Sequence, residues 1–197
     1  MEFLGAFLTS FIVVGLITPF IIKTAKSLKM ISHPSKDRWH SEPTALLGGV
    51  GIFLGLIIGG IYSGIYTLID YKIIFCIFII FLTGLYDDIF NLTPQSKFLL
   101  NILVAVFVVS SGILFGKGVA LPIYLSLPIT FLWIVGITNA MNLLDNMDGL
   151  CAGISGIISF YLGIIFFLNS QIILSIFSFS ILGSSAGFLI YNFKPAK

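Results

Sequence analysis

The chain begins MEFLGAFLTSFIVVGLITPFII, residues 1–22, and lysines follow at positions 23, 26 and 29. A nearly unbroken apolar run of this length is enough for a helix to cross a bilayer, whose hydrocarbon core is about 30 Å thick. The pattern is not that of a signal peptide. Its first residues carry Glu2 rather than a basic cluster, and the run is too long for a signal core. The positive charges come after the run, as they do where a membrane helix ends in the cytoplasm.

The rest of the chain agrees. Of 197 residues, 58% are hydrophobic and 9% charged, with mean hydropathy +1.12. Soluble domains carry roughly 25% charged residues, so the composition is that of a membrane protein. A net charge of +2 gives no footing for nucleic acid as a partner. Cys76 and Cys151 lie in or beside apolar runs and show no disulfide or metal spacing. They read as small buried hydrophobes.

Seven apolar stretches follow one another, at about 3–22, 47–66, 71–86, 98–116, 122–140, 152–169 and 171–191. Backbone polar groups in hydrocarbon must be satisfied within their own segment, so each stretch is expected to be helical. The expected fold is all-α: a polytopic bundle of about seven transmembrane helices, with residues 1–197 as one integral-membrane domain. With the N-terminus outside, the cytoplasmic segments hold Lys23, Lys26, Lys29, Lys36, Arg38, Lys97, Lys194 and Lys197. The outer segments then hold only Lys72 and Lys117. That bias sets the C-terminus in the cytoplasm. It also places Asp87, Asp88, Asp145 and Asp148 on the cytoplasmic side, leaving Glu2 and Asp70 outside.

Three polar constellations stand out. The first is TGLYDDIFNLTPQSKFLLN, residues 83–101. Asp87 and Asp88 end the third span, while Thr93 and Pro94 read as the cap and first residue of the next helix. Lys97 falls in that helix's first turn. Acids at a helix C-terminus and a cation at an N-terminus both oppose the helix dipole, at about 0.3–1 kcal/mol each when exposed. Such placements make sense if the groups face each other or face ligands. The plainer explanation is a solvated loop.

The second is NAMNLLDNMDGL, residues 139–150. Asn139, Asn142, Asp145 and Asp148 recur every third residue, so neighbours share a helix face although the ends drift apart. Carboxylate and amide oxygens are ligands of hard cations, and Mg²⁺ combines one or two carboxylates with substrate phosphates. An interfacial helix end with solvated acids is the plainer explanation here. The third is HPSKDRWHSEPTALLGGVGIF, residues 33–53. Its Lys36, Arg38 and His40 are candidate phosphate ligands, though loop charge also follows from topology alone. A divalent metal, cationic clamps and carboxylates on one face are the set that phosphoryl transfer requires.

These residues resemble a known family, the polyprenyl-phosphate N-acetylhexosamine-1-phosphate transferases of glycosyl transferase family 4. The segments KDRWHSEPTALLGG, YDDIFNLTPQSKFLLN, NAMNLLDNMDGLCAG and GFLIYNFKPAK are similar, in order and spacing, to the family's motifs. The wording Asn-Leu-Leu-Asp is closer to the UDP-N-acetylglucosamine branch than to the muramoyl-pentapeptide branch. The resemblance implies transfer of N-acetylhexosamine-1-phosphate from a UDP-sugar to a membrane polyprenyl phosphate, with release of UMP. It makes Asp87, Asp88 and Lys97 catalytic. It assigns Lys36, Arg38, His40, Asn139, Asn142 and Asp148 to substrate, and Asn142 and Asp145 to Mg²⁺, with Mn²⁺ as the alternative ion. The implied place is the cell membrane, with the active face cytoplasmic.

Family members have more spans than these seven and continue into a Met-Gly-Asp segment. The expectation is therefore a fragment, one part of a split gene, or a chain whose site another chain completes, with little or no transferase activity alone; the expected partner is a homodimer or a second chain supplying the missing C-terminal helices. Two other classes compete. A cation transporter or channel would place ionisable groups on both faces or deep within the spans. A non-catalytic membrane subunit would need no complete site.

Overall fold

The computed structural model describes residues 2–32, 44–90, 92–116, 118, 121–193 and 196. Among them seven longer helices occur, one for each apolar stretch: α1 Glu2–Ser27, α2 Gly48–Ser63, α3 Tyr71–Phe90, α4 Pro94–Ser110, α5 Ile123–Leu144, α6 Leu150–Leu168 and α7 Ile172–Asn192. Five of them, α1, α3, α5, α6 and α7, are long and apolar enough to cross a membrane. The other two, α2 and α4, have 16 and 17 residues, or about 24 and 26 Å at 1.5 Å per residue. They fall a little short of the hydrocarbon thickness. The protein is thus an all-α, multi-pass membrane protein.

Two helix ends fall where the sequence reading put them. The third helix runs one turn past the apolar stretch at 71–86, so Asp87 and Asp88 lie in its last turn. The fourth begins at Pro94, at the Thr93-Pro94 signal and ahead of its strongly apolar run. A departure is a small antiparallel ladder, β1 Ile31–Ser32 with β2 Thr44–Ala45. It follows a left-handed residue, Lys29 (φ 57°), which closes α1 with the Met30 amide donating to the Ala25 carbonyl at 2.8 Å. This is the helix-end geometry usually given to glycine. It turns the chain so that Met30 can accept from Leu46.

The residues group into two compact units, residues 1–68 with 144–197, and residues 69–143. In the first unit α7 packs against α1, α2 and α6. Lipid offers no hydrophobic drive between helices, so close backbone approach and interhelical hydrogen bonds carry the association. The α7 face is accordingly small: Ser175, Ser178, Ser180, Gly183, Ser184, Ser185 and Gly187 are buried. A Cβ on Gly183 would fall on the Phe7 carbonyl of α1, and one on Gly55 of α2 would collide with Ser184. The Ser175 hydroxyl donates across to the Gly163 carbonyl of α6 at 2.8 Å. Phe3, Phe160, Phe167 and Phe179 cluster at the end where α1 and α7 begin and α6 finishes.

A proline shapes α1. Pro19 has no N–H and so leaves the carbonyl four residues back, that of Gly15, without its helical partner. The Tyr191 hydroxyl of α7 donates to that oxygen at 2.9 Å. The second unit holds the α3–α4 hairpin, with Phe75 against Phe107, and α5.

Candidate active site

The acid pair and the lysine are brought together by the α3–α4 hairpin. The Thr93 Oγ1 accepts from the Ser96 amide at 3.3 Å, with Pro94 at the first helical position. This cap fixes where α4 begins and so which turn carries Lys97. The Lys97 Nζ lies 2.5 Å from Asp87 Oδ2, and both side chains are about a quarter exposed. The other oxygen, Asp87 Oδ1, accepts from the Leu92 amide at 2.8 Å. Both oxygens of Asp87 are thereby engaged. The two charges that each oppose a helix dipole lie against one another, one of the two arrangements that make such placements tolerable. Asp88, also half-buried, occupies the same last turn of α3.

The second constellation is split by a helix end. Asn139 and Asn142 lie in the last two turns of α5, which stops at Leu144. Asp145, Asn146 and Asp148 fall in the turns that follow, so the expected four-residue helical stripe applies to the first pair only. The Asn139 Nδ2 donates to the Val135 carbonyl at 2.7 Å, within its own helix. Asn142 and Asp145 are exposed, and Asn146 and Asp148 half-buried.

The turns after α5 end at Gly149. It sits at φ +71° and caps α6, a left-handed conformation in which only glycine is unstrained. Its amide donates to the Asn192 side-chain carbonyl at 2.9 Å. The neighbouring Asp148 Oδ2 accepts from the Ala196 amide at 3.2 Å. Neither partner was identified from the residues alone. The available signal was an amide residue ending a membrane helix, in a segment already singled out by its motif.

The substrate candidates Lys36, Arg38 and His40 lie outside the described residues. For a metal, no group of three or more His, Cys, Asp or Glu side chains stands together among the described residues. The oxygen-bearing side chains in these turns and at the end of α5 are the exposed Asp145 carboxylate and Asn142 amide and the half-buried Asp148 carboxylate, which accepts from the Ala196 amide. That set is too thin for an all-protein cage. Mg²⁺ in general needs few protein ligands, because it keeps several waters and takes phosphate oxygens from a substrate.

A multi-pass helical membrane protein with two acid-bearing helix ends and a paired lysine defines a class, and the comparisons with known proteins narrow it. Residues 71–197 match the model of glycosyl transferase family 4. The chain belongs to that family. It is 35% identical over 98% of its length to a probable undecaprenyl-phosphate N-acetylglucosaminyl 1-phosphate transferase of Bacillus subtilis, of which it covers 56%. It is 30% identical over 99% of its length to a phospho-N-acetylmuramoyl-pentapeptide-transferase of Prochlorococcus marinus, of which it covers 62%. A 66-residue stretch is 48% identical to the enzyme of that same name from Levilactobacillus brevis. The chain thus spans about three-fifths of the length of these first two relatives.

Proposed function

We propose that this chain serves the transfer of N-acetylhexosamine-1-phosphate from a UDP-sugar to a membrane polyprenyl phosphate, in the making of cell-envelope glycan precursors. An oxygen of the lipid phosphate bonds to the β-phosphorus of the UDP-sugar. The bond from that phosphorus to the bridging oxygen breaks, UMP leaves, and a lipid-linked sugar pyrophosphate remains. The reading rests on family membership and on the ion pair between Asp87 and Lys97. A lysine held on a carboxylate at a helix start is a point charge poised for a phosphate oxygen.

In this reading Asp87 orients Lys97, Lys97 holds phosphate, and the Asp87–Asp88 pair supplies the group that takes a proton or attacks phosphorus. Asn139, Asn142 and Asp148, with Lys36, Arg38 and His40, bind the nucleotide-sugar. Asn142 and Asp145 are the ligands for Mg²⁺, which when bound would neutralise charge on the diphosphate and the forming bond. Higher identity to the N-acetylglucosaminyl relative than to the first muramoyl one favours UDP-N-acetylglucosamine as donor. The membrane is the plasma membrane, with the N-terminus outside and these side chains on the cytoplasmic face.

The test uses a hybrid in which this chain replaces the matched segment of the Bacillus subtilis relative. Membranes bearing it should release UMP from UDP-N-acetylglucosamine only when undecaprenyl phosphate is present. A hybrid that inserts normally and releases none would sink the reading.

A further inference from the structure

The last turn of α7 makes contacts that family membership does not explain. Gly187 allows the α7 backbone to meet α1, since a Cβ there would lie 2.6 Å from the Phe11 carbonyl and 3.2 Å from the Gly15 amide. One turn later, Tyr191 donates its hydroxyl to the Gly15 carbonyl at 2.9 Å. That carbonyl is open because Pro19 brings no N–H to it. The next residue, Asn192, accepts from the Gly149 amide, 43 positions away in sequence. Four residues on, the Ala196 amide donates to Asp148. Asn192 and Tyr191 are consecutive, so a displacement of one displaces the other.

We propose that Tyr191 and Asn192 form a strut in which the proline break of α1 fixes the end of α7, and the end of α7 fixes the Asp145–Gly149 turn. Tyr191 is then a positioning residue for acids it does not touch, and Asn192 is the joint. The inference rests on the proposed transferase reading only in what the turn is held for. The strut itself is a matter of geometry within one compact unit. A carbonyl left bare in a membrane helix is costly, which makes the Gly15 oxygen a strong acceptor for an incoming hydroxyl. The sequence therefore supplies both halves of the joint: a proline to expose the oxygen, and a tyrosine placed to meet it.

Hydrogen exchange on the full chain in lipid nanodiscs tests the strut without any activity. Tyr191→Phe removes one hydroxyl and little else. It is expected to speed exchange of the amides of residues 147–150 about fivefold, the loss expected for one hydrogen bond, while the middle of α6 is unchanged. Asn192→Leu should do the same, and Asn192→Asp, which keeps an acceptor oxygen, should restore protection. Tyr191→Phe combined with Asn192→Leu should add nothing beyond the larger single effect. Unchanged exchange at 147–150 in Tyr191→Phe overturns the strut, and so does a uniform rise across α6 and α7. In the hybrid enzyme, Tyr191→Phe should lower kcat severalfold with the KM for UDP-N-acetylglucosamine nearly constant. Loosened exchange with unaltered kcat would overturn the positioning role, whereas an inactive parent hybrid would count against the transferase reading alone.

Discussion

The two acidic regions are assembled in opposite ways. Asp87 is held by partners five and ten positions further along the chain, the Leu92 amide and the Lys97 ammonium. Asp148 and Gly149 are held by partners 48 and 43 positions away, Ala196 beyond α7 and Asn192 at its end. The first site is a product of one hairpin and its cap. The second depends on α7 being docked, which in turn depends on the glycine and serine face that lets it approach α1, α2 and α6. Damage far from the acids should therefore reach the second region and spare the first.

The largest effect is expected at the hairpin itself. In the hybrid enzyme, Asp87→Asn removes the charge that holds Lys97, and turnover should fall by at least about a hundredfold with membrane insertion intact. Normal turnover would remove Asp87 from the chemistry. Next comes the long-range joint. Asn192→Leu leaves the buried Gly149 amide without its acceptor, at about 1–3 kcal/mol, and should lower the thermal midpoint of the purified chain. Asp87→Asn in the same assay should cost less, about 0–1 kcal/mol, because the pair is partly solvated. A reversed order would erase the contrast between the regions.

Gly149→Ala forces a side chain into the left-handed region, at about 1–2 kcal/mol. Its new Cβ would meet Leu189 and Phe193 only at ordinary contact distance, 3.4 Å. Strain should therefore dominate, and Gly149→Asn, which tolerates that conformation better, should be milder than Gly149→Ala in a thermal melt. Equal costs would point to crowding instead. The smallest effect is at the α4 cap: Thr93→Ala should lose about 1 kcal/mol, and Thr93→Ser should recover it.

How much was legible in the sequence follows the same division. All seven helices were, because each is a long apolar run. The Thr93-Pro94 start of α4 was also legible, since capping chemistry is local; adverse helix-end charge singled out Asp87 and Lys97 but left open whether they face each other or ligands. The three-residue spacing from Asn139 to Asp148 puts neighbours on a shared helix face only while the helix lasts, and α5 stops at Leu144, which leaves Asp145 and Asp148 in the turns before α6. The roles of Tyr191 and Asn192 were not legible, because their partners, Gly15 and Gly149, are named only by the packing of α7. The β1–β2 ladder escaped for a similar reason: two residues per strand carry no periodicity.

The proposed transfer requires both Asp87 and Asp145. Its most direct test gives the hybrid enzyme UDP-N-acetylglucosamine labelled at the β-phosphorus, together with undecaprenyl phosphate. The predicted result is one label in the lipid fraction for each UMP released, abolished by Asp87→Asn and by Asp145→Asn alike. Label transfer that survives either substitution, or that never occurs in the unaltered hybrid, would contradict it.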